Sequence, residues 1–148
     1  LNLKLQAKYA LMIEHEVRYD EYKVEDADLV LVAYGTTSRL CKTVVDMARK
    51  EGLNVGLFRP ISLFPFPSIP LEGLAERGKK LLVVEMSHGQ MVEDVRLSVN
   101  GKTSVGFYGR SGGMVPTPSE ILNQVRDTLN GGSSCSCCCR TRSEEVSR

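Results

Sequence analysis

A chain of 148 residues with 19 basic against 18 acidic side chains, a formal charge of +1, lacks the basic excess with which nucleic-acid binders meet phosphate, so no nucleic-acid partner is expected. Hydrophobic residues at 42% and charged residues at 25% are ordinary for one domain with a true core. No apolar run approaches the roughly 18–20 residues that cross a bilayer, and no secretory leader is visible, so the sequence predicts a cytoplasmic location without a membrane partner.

Leu1 stands where a complete gene product would carry methionine, which points to a piece of a longer polypeptide. Residues 1–23 form a lead-in. Leu3, Ala7, Ala10 and Leu11 fall on one stripe of a helix running to about Glu16, and Val17 to Lys23 is extended or irregular. Residues 24–131 then alternate strand and helix.

The first strand, Leu29–Ala33, is a continuous apolar run, the mark of a strand covered on both faces of a parallel sheet. It leads into Tyr34-Gly35-Thr36-Thr37-Ser38-Arg39, a hydroxyl-rich turn opening a helix that carries Leu40, Val44 and Ala48 on one face. Two readings stand for this turn. Its threonines and serine cap the helix, or its free amides, the positive helix end and Arg39 hold an anion. It has neither the glycine and lysine spacing of a P-loop nor a G-x-G-x-x-G. Cys41, among Leu40, Val44 and Val45, is a buried small hydrophobe.

The second strand, Val55–Phe58, is followed by Arg59-Pro60-Ile61-Ser62-Leu63-Phe64-Pro65-Phe66-Pro67, which its prolines keep out of a helix. Phe64 and Phe66 either plug the end of the core or form an apolar docking surface. A helix with Leu71, Leu74 and Ala75 on one face leads to the third strand, Leu81–Val84, and to the loop Glu85-Met86-Ser87-His88-Gly89-Gln90. Glu85 and His88 invite an acid/base reading, against which Glu85 is satisfied by the amides of the following helix and His88 lies at the surface. Ser87 with Gln90 matches a capping box for the helix bearing Val92, Val95 and Val99.

The fourth strand, Val105–Phe107, ends in Gly109-Arg110-Ser111-Gly112-Gly113-Met114, where an arginine beside glycines fits either a phosphate cradle or a flexible connection. Thr117-Pro118-Ser119-Glu120 is a full capping box for the last helix, with Ile121, Leu122, Val125 and Leu129 on its core face. Gly52, Gly78, Gly101 and Gly131 follow the four helices where left-handed caps are needed. Residues 132–148 hold Cys135, Cys137, Cys138 and Cys139 but one large aliphatic side chain, Val146, so this tail is expected to be disordered. Its C-x-C-C-C spacing lacks the C-x-x-C pitch of zinc and iron–sulfur sites.

The pattern predicts a three-layer α/β/α sandwich with a mostly parallel sheet. Ligands of such sheets sit outside the carboxyl ends of the strands, where the four loops lie. No catalytic residue and no metal ligand is assigned from spacing.

Taken in order, the blocks DADLVLVAYGTTSR, GLFRPISLFPFP, LLVVEMSHGQMVEDVRL and FYGRSGG resemble the C-terminal part of the alpha subunit of 2-oxoacid:ferredoxin oxidoreductases, nearest to the 2-ketoisovalerate type, over about Tyr9 to Leu129. The resemblance implies a domain like the C-terminal domain of transketolase, with five strands of which one is antiparallel, the fifth coming from around Val17–Tyr22. It implies a parent complex that turns a 2-oxo acid, coenzyme A and oxidised ferredoxin into an acyl-CoA, carbon dioxide and reduced ferredoxin. Thiamine diphosphate, magnesium and iron–sulfur clusters belong to that complex, none of them bound by this domain. The partners implied are an upstream thiamine-binding domain of the same subunit, beta, gamma and delta-type subunits, and ferredoxin through the complex. The Gly-Asp-Gly motif of thiamine enzymes is absent from this sequence, so the domain is expected to serve assembly through its rim loops. A stand-alone small-ligand or flavin-binding domain, and a metal module built on the tail cysteines, are the competing readings.

Overall fold

Strand β2 (Leu29–Val32) has no solvent-facing side: all four of its residues are buried in the computed structural model, which describes residues 2–131. Because successive side chains of a strand point to opposite faces, Leu29 and Leu31 enter one core and Val30 and Val32 the other. Both faces therefore need helices. The chain supplies them in the order α1 (Asn2–His15), β1 (Tyr19–Tyr22), β2, α2 (Gly35–Lys50), β3 (Val55–Pro60), α3 (Ser68–Glu76), β4 (Lys80–Glu85), α4 (Met91–Val99), β5 (Val105–Gly109) and α5 (Pro118–Leu129).

The sheet runs β1-β3-β2-β4-β5, with β2, β3, β4 and β5 parallel and β1 antiparallel to β3. Helices α2 and α5 cover the face of Leu29, Leu31, Leu82 and Ile121; α3 and α4 cover that of Val30, Leu71, Val83 and Val95. This is the expected α/β/α sandwich. The predicted strands are present, with β3 continuing through Arg59 and Pro60 because β1 pairs with them, Asp20 opposite Arg59 and Tyr19 opposite Pro60.

The antiparallel fifth strand is Tyr-Asp-Glu-Tyr, whose charges suit an exposed edge. Its Tyr19 ring stacks on the buried Phe58 at 5.1 Å between centroids, and the Tyr22 hydroxyl donates to Asp46 on α2. The connection from β1 to β2 crosses so close to β3 that a Cβ on Gly56 would lie 2.7 Å from the Lys23 carbonyl oxygen; only glycine fits.

Helix ends follow the sequence in most places. Gly52, at φ +82°, closes α2 in a Schellman motif, its own N–H donating to the Arg49 carbonyl and that of Leu53 to Ala48. Thr117 and Glu120 form the predicted reciprocal box at α5. The predicted Ser87–Gln90 box at α4 does not form: Gln90 occupies the N-cap position without a side-chain cap bond, and the first amides turn to Glu85 instead. Thr36, Thr37 and Ser38 also fail to cap α2. The helix already begins at Gly35 behind Tyr34, and the Ser38 hydroxyl donates backward to the Gly35 carbonyl.

At the amino end of the sheet, buried Lys79 donates to the carbonyls of Glu25 and Ala27, both at 2.8 Å, and so holds the turn before β2. Burial pushes the Cys41 thiol up to about 12, which leaves it protonated and inert. The cysteine-bearing stretch 132–148, with the expectations attached to it, lies outside the described residues. No helix among the described residues is long and apolar enough to cross a membrane.

Arg49 joins three parts of the fold by donating to Asp26, to the Lys23 carbonyl and to the Val55 carbonyl. Its guanidinium holds the Asp26 carboxyl at about 2, below the ordinary 3.8. A carboxyl depressed on folding contributes stability in full above its unfolded value and loses it as pH falls through the folded one. Urea unfolding is therefore expected to lose stability as pH falls from about 4 towards 2, with a shallower dependence in Arg49→Ala. An unchanged acid limb in that variant would count against the pairing.

Candidate functional site

The order of the sheet sets a switch point between β2 and β4. Their outgoing chains part there, β2 leading to α2 on one face and β4 to α4 on the other. In an open parallel sheet this is where a crevice opens beyond the strand ends. Gly35 and Thr36 flank it from one side and Met86 to Gly89 from the other.

Gly35 adopts φ +57°, a left-handed conformation that lets the chain leave β2 and enter α2 within one residue. Gly35 and Thr36 are exposed, Thr37 and Ser38 buried. Helix α2 has no acidic residue in its first turn and no side-chain cap, so its first amides and its positive end face the rim. Arg39 is exposed and makes no ion pair among the described residues.

Glu85 ends β4 with no solvent exposure. Its Oε1 accepts from the Val92 N–H at 2.8 Å, and its Oε2 from the amides of Gln90 and Met91 and from the Ser87 hydroxyl. The carboxylate is thus the N-terminal anchor of α4, charge-assisted and placed at the positive helix end. His88 and Gln90 are exposed. The structure does not bring Glu85 and His88 together: the carboxylate is bonded to three amides at the start of α4 and to the Ser87 hydroxyl.

The β4 and β5 loops are joined. The Arg110 N–H donates to the Glu85 carbonyl, and a Cβ on Gly109 would collide with the Phe107 ring and lie 2.5 Å from the Ser87 carbonyl oxygen. Close backbone approach therefore occurs at Gly109. Gly112 and Gly113 are exposed turn residues at φ +78° and +75° with open space around them. Arg110 pairs with Glu120 and donates to the Tyr108 hydroxyl, so its charge ties the loop to α5. Thr117 first, and Arg110 with it, hold the Glu120 carboxyl below its ordinary value.

Phe64 and Phe66 part company. Phe66 is half-buried against the α3/α4 core, whereas Phe64 is 70% exposed and meets only the edge of Tyr9 from α1 among the described aromatic rings, at 6.0 Å. Exposed Ile61 and Leu63 adjoin it. The loop is braced from below: Arg18 donates its N–H to the Ser62 hydroxyl, and its carbonyl accepts from the amides of Ile61 and Ser62. Arg59 is exposed, 3.6 Å from Asp20. The Arg18 brace and the Tyr9 contact have no local signature in the sequence.

This rim is apolar on the β3 side and open in amides on the β2 side, and the Ser87 hydroxyl that it pairs with the Glu85 carboxylate is part-buried. Among the described residues no three His, Cys, Asp or Glu side chains group as a metal centre would need. Glu85→Leu strands three amides, two of them buried, and is expected to cost about 3 kcal/mol or more. Glu85→Gln keeps one acceptor oxygen and should cost about 1–3 kcal/mol, with faster amide exchange confined to the first turn of α4. Urea unfolding and hydrogen exchange check this, and exchange unaltered in that turn would remove the anchoring role.

Comparison with known proteins matches residues 27–121 to pyruvate:ferredoxin oxidoreductase core domain II. The ketoisovalerate oxidoreductase subunit VorB of Methanothermobacter marburgensis is 51% identical over 126 residues, which are 85% of this chain and 36% of that subunit. Its counterpart in Methanothermobacter thermautotrophicus is 47% identical over 132 residues, 89% of this chain and 37% of the subunit. The 2-oxoglutarate synthase subunit KorA of Methanothermobacter marburgensis is 40% identical over 68% of this chain and 27% of its own length. A solved 2-oxoglutarate:ferredoxin oxidoreductase from Magnetococcus marinus superposes with a TM-score of 0.65 at 24% identity, over 80% of this chain and 21% of that one, a likeness of fold. The chain thus spans little more than a third of the ketoisovalerate subunits it matches. The family match covers more than half of the sequence: the chain belongs to the pyruvate:ferredoxin oxidoreductase core domain II family.

Proposed function

We propose that the chain serves as the assembly domain of a 2-oxoacid:ferredoxin oxidoreductase of the 2-ketoisovalerate type. The observation that carries the reading is the identity of about half to two ketoisovalerate subunits. In the parent complex a 2-oxo acid, coenzyme A and oxidised ferredoxin become an acyl-CoA, carbon dioxide and reduced ferredoxin. Thiamine diphosphate supplies the carbanion chemistry there and iron–sulfur clusters carry the electrons.

The rim does not fit those groups. Its buried carboxylate is taken up by three amides at the start of α4 and by the Ser87 hydroxyl, and among the described residues no three His, Cys, Asp or Glu side chains group as a metal centre would need. The role left to the domain is architectural: to dock the apolar β3–α3 loop, the exposed Met86 and the exposed Met114 and Val115 against a thiamine-binding domain of the same subunit and against companion beta, gamma and delta-type subunits. The stand-alone small-ligand reading is weaker, because the arginine meant to cradle a phosphate beside Gly112 is already paired with Glu120.

Two measurements test the reading. Capture of the native polypeptide is expected to yield a mass well above 16.4 kDa, together with companion subunits, iron and ferredoxin-dependent turnover of 2-ketoisovalerate. A free chain carrying a bound chromophore would overturn it. Second, Phe64→Ser is expected to change the folding stability of the domain by less than about 0.5 kcal/mol while weakening assembly, since this ring is mostly in solvent. Phe66→Ser should cost about 2 kcal/mol of folding stability. Equal loss of stability in both variants, with assembly per folded molecule unchanged, would refute a docking role for Phe64.

A further inference from the structure

Helix α1 is apolar on two opposite sides, and only one of them faces this domain. Leu5, Tyr9, Met12 and Ile13 repeat the spacing of Leu3, Ala7, Ala10 and Leu11 two residues later, a rotation of about 200° on a helix of 3.6 residues per turn. The set Leu5, Tyr9, Met12 and Ile13 touches the domain lightly: Tyr9 meets Phe64 and Met12 is half-buried, while Leu5, Tyr9 and Ile13 stay 40%, 46% and 55% exposed. The second set is bare, with Leu3 81% and Leu11 57% exposed, and the helix as a whole buries nothing. A helix apolar on both sides belongs between two bodies.

We infer that α1 is a strap clamped between this domain and the remainder of its own subunit, docking its Leu3, Ala7, Ala10 and Leu11 stripe into an apolar groove there. The inference rests on the oxidoreductase reading. The occupant is named on two grounds. The ketoisovalerate subunits extend over almost twice as much further chain as this sequence spans, so the same polypeptide offers a second body. The Tyr9 side of α1 touches Phe64, the centre of the docking loop, so the bare stripe prolongs that surface. Lys4 and Lys8 follow Leu3 and Ala7 around the helix and border the stripe, which calls for a groove with an acidic lip.

The complete subunit, assembled with its companions, tests this through a photo-crosslinking phenylalanine analogue placed at position 11 and peptide mass spectrometry of the product. The expected cross-link joins α1 to a segment of the same polypeptide outside these 148 residues, and α1 amides exchange at least about tenfold more slowly in the complex than in the 148-residue chain. Leu3→Asp with Leu11→Asp should abolish that protection in the complex and leave the urea midpoint of the 148-residue chain unchanged, both side chains being in solvent there. A cross-link to another subunit, to a second copy or to this domain, or none at all, overturns the strap. If assembly and turnover are intact in such a case, the oxidoreductase reading stands without it; if no companions and no turnover are found, both fall together.

Discussion

A strand buried on both faces allows few arrangements around it, and β2 with β4 imposes that constraint on the whole molecule. Leu29, Leu31, Leu82 and Val84 demand α2 and α5 on one side, while Val30, Val32, Leu81 and Val83 demand α3 and α4 on the other. Each fully buried aliphatic side chain contributes about 1.5–3 kcal/mol, so no other interaction in the chain competes with this double burial. Since parallel strands need crossovers, and right-handed ones, the two faces can be served only if β3 and β4 take opposite sides of β2. The switch point, and with it the position of the rim, follows from packing.

Burying the ends of such strands has a polar consequence. Where β4 leaves the core, the first amides of α4 emerge inside it, and an unpaired amide there is costly. Glu85 meets that demand with both carboxylate oxygens. Lys79 does the equivalent work at the opposite end, giving its ammonium to two carbonyls of the turn before β2. Both charged groups are buried and bonded mainly to backbone, Glu85 taking the Ser87 hydroxyl as well. A carboxylate in a rim loop of an enzyme family invites a catalytic role, but the geometry assigns it to the helix.

Much of the fold was legible for a local reason. Continuous Val and Leu runs, glycine stops and the Thr117–Glu120 box each declare themselves within a few residues, so four strands, their helices and the parallel architecture could be read directly. What escaped depends on partners distant in sequence. β1, Tyr-Asp-Glu-Tyr, is expected around Val17–Tyr22 only through the family resemblance, because an exposed edge strand carries charge and no continuous apolar run. Ser87 and Gln90 satisfied the box pattern, yet Glu85, a stronger acceptor already placed by β4, took the amides first. Phe64 and Phe66 look equivalent as sequence, and the loop turns one into the core and leaves the other out. Arg110 looked available beside its glycines until α5 brought Glu120 to it.

The distribution of the remaining surface separates faces that only dissolve the domain from faces that meet something. Along the sides, Lys102 pairs with Glu72 and Glu76, and Arg126 with Glu51; these are solvent-screened links between neighbouring elements. The β1 edge is likewise charged, with Asp20, Glu21 and Arg59, which discourages pairing with another strand. Exposed apolar side chains stand singly at Ile69 on α3 and Leu97 on α4, and as a group at the rim and along α1: Ile61, Leu63, Phe64, Leu3 and Leu11. The rigid brace of Arg18 on Ser62 lies directly beneath this group, and preorganisation there would have no purpose if the surface stayed wet, because exposed apolar loops gain nothing from being held still. A braced loop together with exposed carbon is the combination that lowers the entropic cost of association, and the β3–α3 loop beside α1 has both.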